Sequence, residues 1–201
     1  MSKTIFNPEE QELDLSKKVT VGLERISAAF KALLWDKAKQ FELSPIQIQV
    51  LIFISYHQKE YCTVSYLAKE FNVTKATLSD AIKSLDSKRL VKKDHLAEDS
   101  RSYYIQLTTR GRKVVQETES FSAPISQQIS DAKNSDLEIL YKYISQLVYQ
   151  LNQKGVLSVQ RVCFTCQYYS QSKGKSYCNM LKKPLKATEI RLDCPEHIET
   201  L

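Results

Sequence analysis

A single change of hydrophobic period in the middle of the chain limits the possible folds more than any other feature. Val64, Leu67, Ala68 and Phe71 recur at helical spacing, and Leu78, Ile82 and Leu85 form a second face of the same period. Between them Asn72 tolerates a turn conformation and Thr74 can cap the helix that follows. The period then drops to two. Leu90 to Leu96 and Ser102 to Leu107 alternate as two strands, with a charged tip, Ala97-Glu98-Asp99-Ser100-Arg101, between them.

Long helical patterns flank this block. From Asp14 to Phe41 the apolar residues Val19, Leu23, Ile26, Phe30, Leu33 and Leu34 share one face, with Lys17, Arg25, Lys31 and Asp36 opposite. Ser44-Pro45-Ile46-Gln47 reads as a capping box opening a helix that buries Val50, Leu51 and Ile54. Thr108 caps a helix expected to reach Ile129, with Pro124 kinking or interrupting it. A last helix, Ser135 to Gln153, is expected to bury Leu137, Leu140, Tyr141, Ile144, Leu147, Val148 and Leu151. Only four Gly and five Pro in 201 residues agree with a mostly helical chain. The expected fold is mainly α with a small β-wing. It comprises a winged helix-turn-helix domain, a helical dimerisation domain and a short Cys-rich metal-binding tail.

Several classes are excluded early. The longest apolar run, Val50 to Ile54, falls far short of the roughly 20 residues that span a bilayer, so no membrane role is expected. Met1-Ser2-Lys3-Thr4 carries no apolar signal segment, which places the expectation in the cytoplasm. The net charge of +6 is unevenly spread. Residues 63–113 hold eleven Lys/Arg against six Asp/Glu, whereas residues 1–62 balance eight against eight. A local cation excess suggests a polyanionic partner.

Helix, turn, helix and basic-tipped hairpin suit double-stranded DNA. The second helix of the pair fits the major groove and reaches base edges with its N-terminal residues. Thr74, Lys75, Thr77 and Ser79 are the expected base and phosphate contacts, with Lys83, Lys92 and Lys93 as flanking cations. The hairpin tip can place an Arg in the minor groove, and Arg101 is the candidate.

These residues resemble the MarR family of bacterial transcriptional regulators. Asp99-Ser100-Arg101, followed by Ile105, Leu107, Thr108 and Gly111, resembles the family's wing signature. Leu67-Ala68 and Leu85 to Val91 resemble its helix-turn-helix, and Ser44-Pro45 with Gln47 the start of its second helix. The similarity covers residues 13–153, with the DNA-binding part at 44–112 and dimerisation helices at 13–41 and 108–153. It implies a homodimer on a pseudo-palindromic operator and release by a small-molecule effector; the expected role is repression, tuned by that effector or by a redox signal. It also implies that Asp99 orients Arg101. Two positions depart from the pattern: Arg89 stands where Gly commonly ends the recognition helix, and Asp80 where a basic or neutral residue is usual.

Residues 155–201 form the tail. Cys163 and Cys166 have the C-x-x-C spacing of a metal knuckle, and Cys178 and Cys194 complete a four-thiol set. A tail with so few apolar residues calls for a cross-link. Structural zinc is the first reading and an iron–sulfur cluster the alternative, since Cys194-Pro195 resembles the close of a ferredoxin motif. A disulfide switch is the third. The tail is expected to brace the dimer or border the effector pocket. Cys62, His57 and His95 read as ordinary structural residues, and His197 and Asp193 as chance neighbours of Cys194. An enzyme reading, a thiol-disulfide oxidoreductase, has no βαβ pattern behind it. No Gly-rich phosphate loop or nucleophile elbow is present.

Overall fold

The computed structural model describes residues 4–96, 99–172 and 174–200, and the side chains among them apart from those of 95, 96 and 99–102. The chain opens with α1 (Pro8–Glu12) and α2 (Leu15–Gln40), then α3 (Pro45–Tyr56), α4 (Val64–Glu70) and α5 (Lys75–Ser87). An antiparallel hairpin follows, β1 (Val91–Leu96) with β2 (Asp99–Leu107). Then come α6 (Thr109–Thr118), α7 (Ala123–Ser130) and α8 (Asn134–Gln153). The last part forms a three-stranded antiparallel sheet in the order β3 (Tyr169–Ser172), β4 (Lys175–Cys178), β5 (Lys183–Leu185). No helix among the described residues is long and apolar enough to cross a membrane.

Local chemistry sets these boundaries. Asp14, Ser44, Thr63, Thr74 and Thr108 each accept a backbone N–H from the first turn of the helix they precede, and Ser44 with Gln47 completes the capping box. Four helices end alike. Leu43, Val73, Leu90 and Val156 donate N–H five residues back, to the carbonyls of Ala38, Ala68, Leu85 and Leu151, at 2.9 to 3.0 Å. That closure puts the preceding residue in the left-handed region: Glu42 (φ 52°), Asn72 (φ 52°), Arg89 (φ 58°) and Gly155 (φ 71°). Arg89 therefore takes the conformation glycine would supply without steric cost.

The core gathers around α3, α5 and the hairpin. Ile48, Val50, Leu51, Leu67, Leu78, Ile82, Leu85, Ile105 and Val115 are enclosed there. Gly111, in the first turn of α6, lies against Leu90, where a Cβ would collide with that residue's carbonyl oxygen.

Three expectations change. The helix from Thr108 is interrupted, and earlier than Pro124; α6 stops at Thr118, a 3₁₀ turn spans Glu119–Ser122, and Pro124 lies in the first turn of α7. Buried Thr118 bends its hydroxyl back onto the Val114 carbonyl at 2.7 Å, a bond that competes with helix continuation. The charged tip is shorter than the sequence suggests, because β2 already begins at Asp99. The apolar stripe of α8 is not buried within the chain either: Ser145 alone is enclosed, while Leu140 and Leu147 remain 46% and 38% exposed. On α2 likewise only Leu34 and Ala38, near its C-terminal end, reach the core, and Val19, Leu23, Ile26 and Phe30 stay open.

Candidate nucleic-acid interface and thiol cluster

The left-handed Asn72 turns α4 into α5 and leaves the first turn of α5 open to solvent. Thr74 caps it, accepting the Thr77 N–H at 3.1 Å, and the two hydroxyls lie 2.8 Å apart. Thr74, Lys75 and Thr77 are exposed together at this end, whereas Ser79 is half-buried and less accessible than the sequence suggests. One turn on, Lys83 reaches the Asp80 carboxylate at 3.1 Å, so the acid that stood out in the sequence is locally compensated. Lys92 and Lys93 project from β1, with the Lys93 ammonium 5.1 Å from the centre of the Tyr103 ring. The side chains of Asp99 and Arg101, the expected wing pair, lie outside the described residues. Their backbone belongs to β2, where Asp99 pairs with Leu96.

The four tail cysteines come from three separate segments and line one cavity of about 30 Å³, walled also by Met180, Leu181 and Leu185. Backbone N–H groups of Arg191 and Leu181 point at the sulfurs of Cys163 and Cys178, at 3.2 and 3.5 Å. The Arg191 guanidinium lies 3.5 Å from the Cys194 sulfur. Burial pushes the Cys163 and Cys194 thiols above their ordinary range. Among the described residues no three Cys, His, Asp or Glu side chains already converge as a preformed metal site. Cys62, far from the tail cysteines in sequence, is enclosed; burial pushes its thiol up to about 11, which fits a structural residue.

His197 and Asp193, close to Cys194 in sequence, have side-chain partners other than its sulfur. Buried His197 sets Nε2 2.9 Å from the hydroxyl of Thr165, inside the C-x-x-C turn. Asp193 accepts two hydrogen bonds from Arg161 and lies 2.8 Å from His57 Nε2.

Arg161 itself escaped the sequence reading. It is 5% exposed and crosses from the tail onto the helix-turn-helix. There its Nη1 donates to Glu70 and to the Tyr66 hydroxyl, both at 2.8 Å, and its guanidinium packs over Phe53 and Tyr61. Burial disfavours its charge, but the hydrogen bonds to Asp193 and Glu70 outweigh that and keep it protonated. No periodicity marks such a residue; its signal is a lone cation beside the first tail cysteine. The tail also packs on α8, through a Tyr141 hydroxyl bond to the Ile190 carbonyl and contact of Tyr149 with Phe164.

A model described as MarR family matches residues 41–102, the stretch from the end of α2 into β2. The HTH-type transcriptional regulator TcaR of Staphylococcus aureus is 32% identical over 116 residues, 57% of this chain and 75% of that protein. Among solved structures, the S. aureus MepR–DNA complex superposes with a TM-score of 0.58 at 26% identity, covering 66% of this chain and 97% of that one. MepR in its DNA-binding conformation gives 0.58 at 25% identity over 66% and 98%. Transcriptional regulator PA3341, at 23% identity and 0.58 over 67% and 98%, shares the fold.

Proposed function

The chain belongs to the MarR family, and from that membership we propose that it is a homodimeric repressor that binds a pseudo-palindromic DNA operator and is released by a signal. The observation that carries this reading is the solvent-facing first turn of α5, where Thr74, Lys75 and Thr77 stand exposed at the helix N-terminus. A helix presented in this way enters the major groove with those residues at base edges and phosphates. Lys92 and Lys93 on the hairpin, with Arg101 at its tip, hold the flanking phosphates and the minor groove. The open apolar faces of α2 and α8 favour a second copy of the chain, which sets two recognition helices one DNA turn apart.

Selection of binding sequences from random duplex DNA, followed by affinity measured across salt, tests this reading. A pseudo-palindromic consensus and affinity falling steeply with salt are expected. Arg101→Ala lowers the slope of log affinity against log salt by about one. Affinity for duplex DNA that is indifferent to both sequence and salt overturns the proposal.

A further inference from the structure

We propose that Cys163, Cys166, Cys178 and Cys194 bind one zinc ion as four thiolates, and that the loaded site fixes the helix-turn-helix through Arg161. The four sulfurs border a single cavity of about 30 Å³. A space that admits a water-sized sphere among four sulfurs has room for a metal ion. The chemistry around the sulfurs points the same way. Three N–H donors already face them, from the backbones of Arg191 and Leu181 and from the Arg191 side chain. Such donors spread thiolate charge and orient ligands. Met180, Leu181 and Leu185 give the site an apolar rim, and four thiolates with no open position are the donor set of a structural zinc centre.

One contact opposes loading. The Cys194 thiol lies 3.3 Å from a Glu196 oxygen, and a thiolate there repels that carboxylate. Arg191 already holds the same oxygen at 2.7 Å and can keep it aside. His197 is engaged with Thr165, so the ligand set is all sulfur. The thiols must still draw together onto the ion. Each surrenders a proton to solvent as it binds, and no electron is transferred.

The segment has reason to need the ion. Its strands are four, four and three residues long, and among its described residues only Val162, Cys166 and Ile190 are enclosed apolar groups. So little buried surface does not hold such a sheet in water.

The link to the DNA-binding part is short and runs through hydrogen bonds from residues next to the ligands. The Cys194 N–H donates to the Arg161 carbonyl, and the Cys163 N–H to the Arg191 carbonyl, both at 3.0 Å. Arg161 stands two residues before the first ligand, and Asp193 directly precedes the last. Their side chains meet, and Arg161 continues onto Glu70 and Tyr66 of α4. Zinc that fixes both backbones therefore fixes the guanidinium against the helix that supports α5. The site itself stands without the DNA-binding reading, whereas its effect on operator affinity rests on it.

The test uses the full chain, reduced, anaerobic and stripped with a chelator. Titration with Co²⁺ is expected to reach one equivalent with sulfur-to-cobalt charge-transfer and tetrahedral d–d bands, displaced by Zn²⁺. Cys178→Ser weakens binding by at least about tenfold. Zinc slows amide exchange across residues 64–70 and raises affinity for the selected operator about tenfold. Arg161→Met binds cobalt like the wild type but loses both responses. No stoichiometric cobalt–thiolate bands, or iron and sulfide in the purified protein, overturns the zinc site. Metal binding that changes neither exchange nor operator affinity overturns the coupling. Failure of every form to bind DNA counts against the regulator reading and leaves the cobalt result standing.

Discussion

Arg161 grips Asp193 with two parallel hydrogen bonds, Nε to Oδ1 at 2.7 Å and Nη2 to Oδ2 at 3.0 Å, across 32 residues of sequence. Its remaining amino group serves Glu70 and Tyr66, so one guanidinium joins the tail to α4. Planar, forked donation of this kind is specific to arginine. Arg161→Ala leaves Glu70 without its partner and removes a stack of ring contacts. It should lower stability by about 3 kcal/mol, the range for breaking a buried ion pair. Arg161→Lys should recover less than half of that, since an ammonium cannot serve three acceptors in one plane. Chemical denaturation of the three proteins measures both effects. Equal stability of Lys and wild type would show that charge alone matters here.

Asp193 makes the same junction sensitive to acid. Burial would raise its carboxyl, but hydrogen bonds from His57 and Arg161 dominate and hold it well below the usual carboxylate range. A carboxyl depressed on folding adds stability that is complete above its unfolded value, about 3.9. That stability is lost as pH falls from there through the folded value. The melting temperature of the wild type should therefore drop more steeply below about pH 4 than that of Asp193→Asn, which is less stable at pH 7. Parallel acid profiles for the two proteins would contradict this.

Backbone conformation gives a pair of opposite predictions. At Gly111 there is no room for a methyl group beside the Leu90 carbonyl, so Gly111→Ala must push α6 off the hairpin. A loss of about 3 kcal/mol is expected. At Arg89, with φ at 58°, the side chain is what strains the helix end. Arg89→Gly should gain about 1 kcal/mol, the left-handed penalty less the added chain entropy. Thermal melts resolve both signs. A stabilising Gly111→Ala or a destabilising Arg89→Gly would refute the corresponding argument.

Much of this could be read from sequence because the signals were local. The Ser44 capping box, the Thr74 and Thr108 caps and the switch of period at Leu90 each depend on residues a few positions apart, and all appear in the structure. Helix ends were harder, since the stop at Thr118 depends on a side chain bending back onto its own backbone. The Arg161 junction was hidden for another reason. Its partners Tyr66, Glu70 and Asp193 lie 95, 91 and 32 residues away, and nothing in a periodic pattern encodes a contact of that range. The α8 stripe was legible as apolar, but a sequence does not say whether the covering surface belongs to the same chain.

That stripe supplies the last prediction. Leu140 and Leu147 on α8, with Leu23, Ile26 and Phe30 on α2, are large apolar groups left in water by a single copy of the chain. Scattered exposure of this kind is ordinary, but residues repeating along one helical face form the continuous patch that marks an interface. Closed twofold assembly places the same face of two copies together, so one charge introduced there is introduced twice and meets its own image. Leu147→Glu should therefore shift the protein from dimer to monomer in light scattering at micromolar concentration, with an unchanged helical circular dichroism spectrum. Operator affinity should fall by at least about a hundredfold, because a monomer engages one half-site and forfeits the effective concentration of the second. A variant that stays dimeric with full affinity would move the interface off α8.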